Sequence, residues 1–340
     1  MLYDPQGMLQ EKMVGLATLT ANLCRKQQSL HNSMTTVTSA GARERKFETT
    51  LTMNVPETDF DREKRWWDAK APNEERDLAD ESINRALRWR EIERHLEGVR
   101  TILDIGGGTG AFSIPPAKRG FRLIHLDLSP EMLAIARKKA EGVADIEFVE
   151  GNTSDLSRFS DCSFDLVLNL DGAVSFSGSK AIRAIQETCR VAENKVILTV
   201  SHQAQMTVAW VGSSLTRTGQ LGPAVDAMLN RGEWHQEQFP SNEVLAEGLT
   251  QNYLGALKAF LPAELRSILE SAGMRILRCG GIGSLAGLCD PGLLQRLAND
   301  VVLRDSFLSV CERFDIEILP EGPGTRQRAG LMAVAQRLDL

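Results

Sequence analysis

Apolar residues fall into short runs along most of this chain, and the stretches between the runs carry apolar positions at helical spacing. Thr101 to Ile105, Phe121 to Leu126, Ile146 to Glu150, Phe164 to Leu168 and Lys195 to Val200 are too short for stable helices and hold little polar alternation. That is the pattern of parallel strands covered on both faces. Between and after them, Met132 to Ala140, Ser179 to Ala192 and Pro262 to Gly273 read as amphipathic helices. Two more runs, Met274 to Cys279 and Ala329 to Ala335, are separated by a helical stretch from Pro291 to Phe314. Two helices precede everything, FDREKRWWDAKA and DESINRALRWREIERHL, parted by Pro72 and Asn73. Strands alternating with helices predict an α/β fold with a doubly wound, mostly parallel sheet.

The chemistry concentrates where the first run stops. Ile105 is followed by Gly106, Gly107, Gly108, Thr109 and Gly110, and only glycine lets a backbone turn so sharply while a ligand approaches it. The second run ends in Asp127, about twenty residues after the first glycine, where a carboxylate can take the hydroxyls of a ribose. A nucleoside cofactor follows from the two together. Gly106, Gly108 and Ala111 also satisfy the dinucleotide spacing G-x-G-x-x-A, which keeps a nicotinamide-dependent oxidoreductase as an alternative. Against it, Asp104 gives the form D-x-G-x-G-x-G, and Pro115-Pro116 disturbs the helix start on which a pyrophosphate would lean.

The stretch Asp104 to Gly110 resembles motif I of the class I S-adenosylmethionine-dependent methyltransferases, and the resemblance extends from about Trp66 to the C-terminus. It implies a Rossmann-like sheet of seven strands with the last strand antiparallel, leading helices over the cofactor end and a helical lid. It implies S-adenosylmethionine as cofactor and S-adenosylhomocysteine as product. Cofactor contacts are then expected at Asp104, Gly106, Gly108, Gly110 and Asp127, with Leu128 and Met132 on the adenine. Asn152, beside Thr153, stands where many relatives place Asp against the adenine amino group. Arg85 is a candidate for the carboxylate of the methionine part, with Arg88 one turn on, and Asn169-Leu170-Asp171-Gly172 occupies the position of motif IV beside the reacting methyl.

Asp171 and His202 are the candidate catalytic residues, each just past a strand end on the ligand edge. Trp210, Trp234 and Tyr253 in the lid and Arg326 before the last strand are the candidate acceptor contacts. Trp66 and Trp67 read as packing anchors. The expected organisation is an extension over 1–58, capping helices over 59–98, and the sheet domain over 99–340 with a lid at 203–258 and a helical insertion at 284–325.

Composition narrows the partners. The net charge of −6 argues against standing affinity for nucleic acid or anionic membranes, and no apolar run has the length of a membrane span. Six scattered cysteines without a C-x-x-C pair fit reduced thiols in a cytoplasmic protein and supply no metal set. The sequence therefore predicts methyl transfer to a small molecule, with a lean to an amino-acid-like thioether or amine because no strong general base stands out. An O-methyltransferase and a non-catalytic cofactor-binding protein are also compatible with the sequence, and so is a homo-oligomer.

Overall fold

The computed structural model describes residues 59–74, 79–235, 256–325 and 330–338, all within the unit Pro56–Leu340. The predicted extension, part of the lid with Tyr253, and Arg326 lie outside the described residues.

Two helices lead, α1 (Asp59–Lys70) and α2 (Ala79–Glu93), and the β/α alternation then begins. Its elements are β1 (Thr101–Ile105), α3 (Ile114–Lys118), β2 (Arg122–Asp127), α4 (Pro130–Lys139), β3 (Ile146–Glu150) and β4 (Phe164–Asn169). It continues through α5 (Ala173–Phe176), α6 (Ala181–Val191) and β5 (Ala192–Val200). The sheet order is β3-β2-β1-β4-β5-β9-β8, where β8 is Met274–Gly281 and β9 is Leu331–Arg337. The first five strands pair parallel. The last strand, β9, runs antiparallel to both its neighbours, β5 and β8. This is the expected seven-stranded class, and its order reverses between β1 and β4, which opens a crevice at the carboxyl ends of those strands.

Successive residues of the central strands serve opposite faces. Leu103, Val167 and Leu198 pack on one side with α6 and with α9 (Pro262–Ser271). Ile102, Leu166, Leu168, Ile197 and Val334 pack on the other with Ile83, Leu87 and Ile92 of α2. Covering both faces is what makes the strand sequences continuously apolar. The start of α4 follows its sequence, since Ser129 Oγ accepts from the Met132 N–H at 3.1 Å and Pro130 occupies the first turn.

The lid departs from expectation. Helices α7 (Gln203–Thr218) and α8 (Gly222–Arg231) are present, but the chain then forms two short strands, β6 (Glu233–His235) and β7 (Ala256–Lys258), paired antiparallel. Gly232, at φ +63°, ends α8, and a Cβ there would lie 2.2 Å from the Ala259 carbonyl oxygen. A turn that tight feeds a strand, and it sets the buried Trp234 in a small core with Met228 and Leu257.

The predicted helical insertion consists of α10 (Ser284–Leu288), α11 (Pro291–Asn299) and α12 (Val301–Arg313), closed by a wide turn over Phe314–Ile318. It is fastened to α2 through Glu91. Glu91 Oε2 accepts from Arg278 of β8 at 2.8 Å and from Arg94 at 2.8 Å, while Arg94 also reaches Glu312 of α12 at 2.6 Å. Burial would raise the Glu91 pKa, but the His95 hydrogen bond and the Arg278 and Arg94 charges outweigh it and bring it down to about 2.

Glu91→Ala should therefore cost about 2–3 kcal/mol in urea unfolding, because it leaves the half-buried Arg278 without its carboxylate. Since the folded-state pKa lies below the ordinary 4.5, this stabilisation is complete above pH 4.5 and disappears as pH falls towards 2. Stability of the variant should lose that part of the wild-type acid dependence.

Candidate functional site

The glycine loop after β1 is built from hydrogen bonds that stay inside the protein. The Gly106 and Gly107 N–H groups both donate to the Leu126 carbonyl, at 2.7 and 3.1 Å, and the Gly110 N–H donates to Gly107 O at 2.9 Å. The Gly108 N–H donates to Asp127 Oδ2 at 2.7 Å. Each missing side chain has its own reason. A Cβ on Gly106 would lie 2.5 Å from Ala173 Cβ, and one on Gly107 would lie 2.4 Å from the His125 ring. Gly108 differs, because at φ +55° its Cβ position looks into open space. Its side-chain volume belongs to the cavity.

His125 carries this loop, and sequence reasoning does not single it out. It is fully buried, and burial pushes its pKa down to about 4, so the ring is neutral. Its Nε2–H donates to Gly108 O at 3.1 Å, while Nδ1 accepts from the Ser113 hydroxyl at 2.7 Å. The available signal is one polar residue inside the apolar run RLIHLD, on the strand beside the loop.

Two carboxylates face the same space. Asp127 also accepts from the Ser129 N–H through Oδ1 at 2.8 Å, so it clamps the loop as well as lining the cavity. Burial raises its pKa to about 6 against the lowering effect of those two N–H groups. Asp104 is raised to about 7, first by burial and then by the charges of Asp127 and Asp171. Its Oδ2 is fully buried, 4.0 Å from His125 Nδ1, and the Ser113 side chain works against the rise.

The cavity, with its open mouth included, spans about 990 Å³ of space. The glycine loop, Asp127, Leu128 and Met132 form one end, with Asn152 and Thr153 beside them. Trp67 and Arg85 of the leading helices, Asp171 and Phe176 also line the cavity, with Trp67 packed on Phe176. Asn152 Oδ1 is taken by the N–H of Ser154 at 2.8 Å and by its hydroxyl at 3.0 Å. The amide oxygen is thus engaged within the turn, and its NH2 keeps its capacity to donate.

Several predicted residues turn their side chains elsewhere. The Asn169 side chain is buried, and its amide donates to Thr153 and Thr188 at 2.9 Å each. His202 caps α7, with Nδ1 accepting from the Ala204 N–H at 3.1 Å and Nε2 on Glu321 O at 3.2 Å. Both ring nitrogens are committed, and burial lowers the pKa, so His202 holds the lid to the strand end and does not face the cavity. Trp210 and Trp234 pack on each other at 5.0 Å within the lid and line no part of the cavity. Trp67, a packing anchor by sequence, instead forms a cavity wall against Phe176 at 5.1 Å. Among the described residues no group of three or more His, Cys, Asp or Glu is arranged to hold a metal ion.

A sheet of this order with a glycine loop and acid at its switch point defines a class I methyltransferase-type fold. Residues 102–195 match the family described as a methyltransferase domain. A demethylmenaquinone methyltransferase of Chlorobaculum tepidum is 43% identical over 86 residues, 24% of this chain and 34% of that protein. A tRNA 5-carboxymethoxyuridine methyltransferase of Escherichia coli is 32% identical over 93 residues, 25% of this chain and 36% of that protein. The chain thus spans about a third of the length of these curated relatives. A solved S-adenosylmethionine-dependent methyltransferase from Methanosarcina mazei superposes with a TM-score of 0.47 at 19% identity, covering 73% of this chain and 97% of that one.

Substitution separates the roles of the glycines. Gly106→Val should lower the unfolding midpoint measurably, because its side chain meets Ala173. Gly108→Val should fold, at a cost of about 1–2 kcal/mol for the left-handed backbone, and fill the ligand space. Circular dichroism melts together with S-adenosylhomocysteine calorimetry distinguish the two.

Proposed function

We propose that this protein transfers the methyl group of S-adenosylmethionine to a small-molecule acceptor. The observation that carries the reading is the commitment of the Gly106, Gly107, Gly108 and Gly110 N–H groups to protein oxygens. A pyrophosphate needs free N–H groups and a helix start, and here α3 opens with Pro115 and Pro116 and is five residues long. The walls are acidic as well, with Asp104, Asp127 and Asp171 beside Arg85. Such a wall repels phosphates and favours a cationic nucleoside, which weighs against a dinucleotide. It equally disfavours the phosphate backbone of a nucleic-acid acceptor, as does the net charge of −6.

When bound, S-adenosylmethionine supplies an electrophilic methyl carbon on a positively charged sulfur. The residues of this chain divide the work of holding it. Asp127 is placed for ribose hydroxyls through the lone pairs left by Gly108 and Ser129, and Leu128 and Met132 offer apolar surface to adenine. Asp104, which lines the cavity, takes an ammonium, and Arg85 takes a carboxylate. Trp67 and Arg85 of the leading helices, with Phe176, wall the acceptor space and limit water there. Alignment of a nucleophile with the methyl carbon then supplies most of the acceleration, by positioning more than by acid–base chemistry. The acceptor is amino-acid-like, with an amine or thioether nucleophile, because His202 is unavailable as a base.

Calorimetry with S-adenosylhomocysteine tests the cofactor assignment, and NAD should show no heat of binding. Uptake of an ammonium requires ionised Asp104, whose pKa in the free protein is about 7. Affinity should hold above pH 7 and fall by up to about tenfold per unit below it, with proton release on binding near pH 6.5. An affinity unchanged between pH 8 and 6 would remove Asp104 from the ligand shell.

A further inference from the structure

At the β4 end of the cavity stands a carboxylate with an unusual support. Asp171 adopts φ +57°, a left-handed conformation in a residue with a side chain, and it is followed by Gly172 at φ +103°. Its N–H is fixed by Thr199 Oγ1 at 2.8 Å. Behind it Arg88, 1% exposed, places Nε 2.9 Å from Asp171 Oδ1, while Arg88 Nη1 donates to the Asn84 carbonyl at 3.3 Å. Oδ1 is buried, yet the Asp171 side chain keeps 27% exposure, so the other oxygen is the one turned to the cavity. A strained backbone and a buried guanidinium both serve to aim that oxygen.

The neighbouring groups share one polarity. The Ser177 hydroxyl spends its proton on Ala173 O at 2.9 Å, which leaves lone pairs for a ligand. Trp67 and Phe176 complete the wall with aromatic surface, which attracts cations. Resting on the methyl-transfer reading above, we infer that the acceptor is an amine whose N–H is taken by the Asp171 carboxylate, with Arg88 as the positioning residue behind it.

Thioethers and alcohols meet this wall badly. A thioether has no hydrogen to give, so its binding would strip water from the Asp171 oxygen without replacement. A hydroxyl acceptor has to lose a proton during attack, and the nearest histidine past a strand end, His202, has both nitrogens committed. An amine held as ammonium first gives one proton to solvent water, an easier loss than that from a hydroxyl, and the neutral amine then has its lone pair free and its remaining hydrogens available to Asp171 and Ser177. The nitrogen pair forms the bond to the methyl carbon, and the carbon–sulfur bond breaks with its electrons passing to sulfur, giving S-adenosylhomocysteine. The nitrogen becomes a cation beside Asp171, and its proton then leaves to solvent water. Positive charge moves from sulfur to nitrogen during this step, so a fixed carboxylate at the nitrogen stabilises the transition state more than the ground state.

The test uses the full chain and matched triplets of amine, alcohol and methyl thioether on the same aryl, aliphatic and α-amino-acid skeletons, 2-phenylethylamine, 2-phenylethanol and 2-phenylethyl methyl sulfide among them. Calorimetry with S-adenosylhomocysteine comes first, and failure to bind it would defeat the cofactor reading separately from the acceptor class. With binding established, S-adenosylhomocysteine release should occur only with amines. Asp171→Asn should lower kcat/KM for the best amine by tenfold to a hundredfold while changing S-adenosylhomocysteine affinity by less than threefold. Arg88→Lys, which keeps the charge and loses the guanidinium geometry, should give a smaller loss in kcat with folding intact. Turnover of an alcohol or thioether, silence with every amine, or full amine activity in Asp171→Asn overturns the inference.

Discussion

The hydrogen bond from the Gly108 N–H to Asp127 is the contact on which the site depends. It draws the glycine loop onto the end of β2, while the buried His125 ring holds the same residue through its carbonyl. Gripped on both of its backbone groups, Gly108 cannot turn away, and its bare α-carbon becomes part of the cavity wall. The grip is costly in electrostatic terms, because Asp127 and Asp104 are both buried and their pKa values rise to about 6 and about 7. A free cavity lined by such groups has unspent affinity for hydrogen-bond donors, and bound ligand offsets the penalty.

Much of this was legible in the chain because parallel strands covered on both faces leave an unambiguous apolar signature. The runs ending in Ile105, Glu150 and Val200 end where β1, β3 and β5 end, and the carboxyl ends of parallel strands are where ligands bind. Gly106, Gly108, Asp127 and Asp171 sit at those ends and could be found by counting. Residues whose roles depend on contacts between distant segments could not. Nothing in the spacing of His202 distinguishes a helix cap from a base, since the deciding groups are Ala204 and the remote Glu321. Trp210 and Trp234 read as pocket aromatics by position, and the short β6–β7 pair turned them towards each other.

Two arginines show the same limit from the other side. Arg85 and Arg88 look equivalent, one turn apart on a charged helix, yet Arg85 lines the cavity and Arg88 is sunk against Asp171. Helix rotation decides which of the two meets ligand. That rotation is set by Ile83, Leu87 and Ile92 packing beneath the helix, together with the bonds from Arg90 and Arg94 to the insertion.

The Glu91 junction has a bearing on how such a protein can diverge. Through it the helix that carries Arg85 and Arg88 is bolted to β8 and, by way of Arg94, to α12, so the insertion and the ligand-facing helix form one mechanical piece. A lineage that trimmed the insertion to a plain hairpin would also release the helix whose Arg88 is paired with Asp171. The insertion and the helix that carries Arg85 and Arg88 are thus expected to be gained, lost and exchanged together.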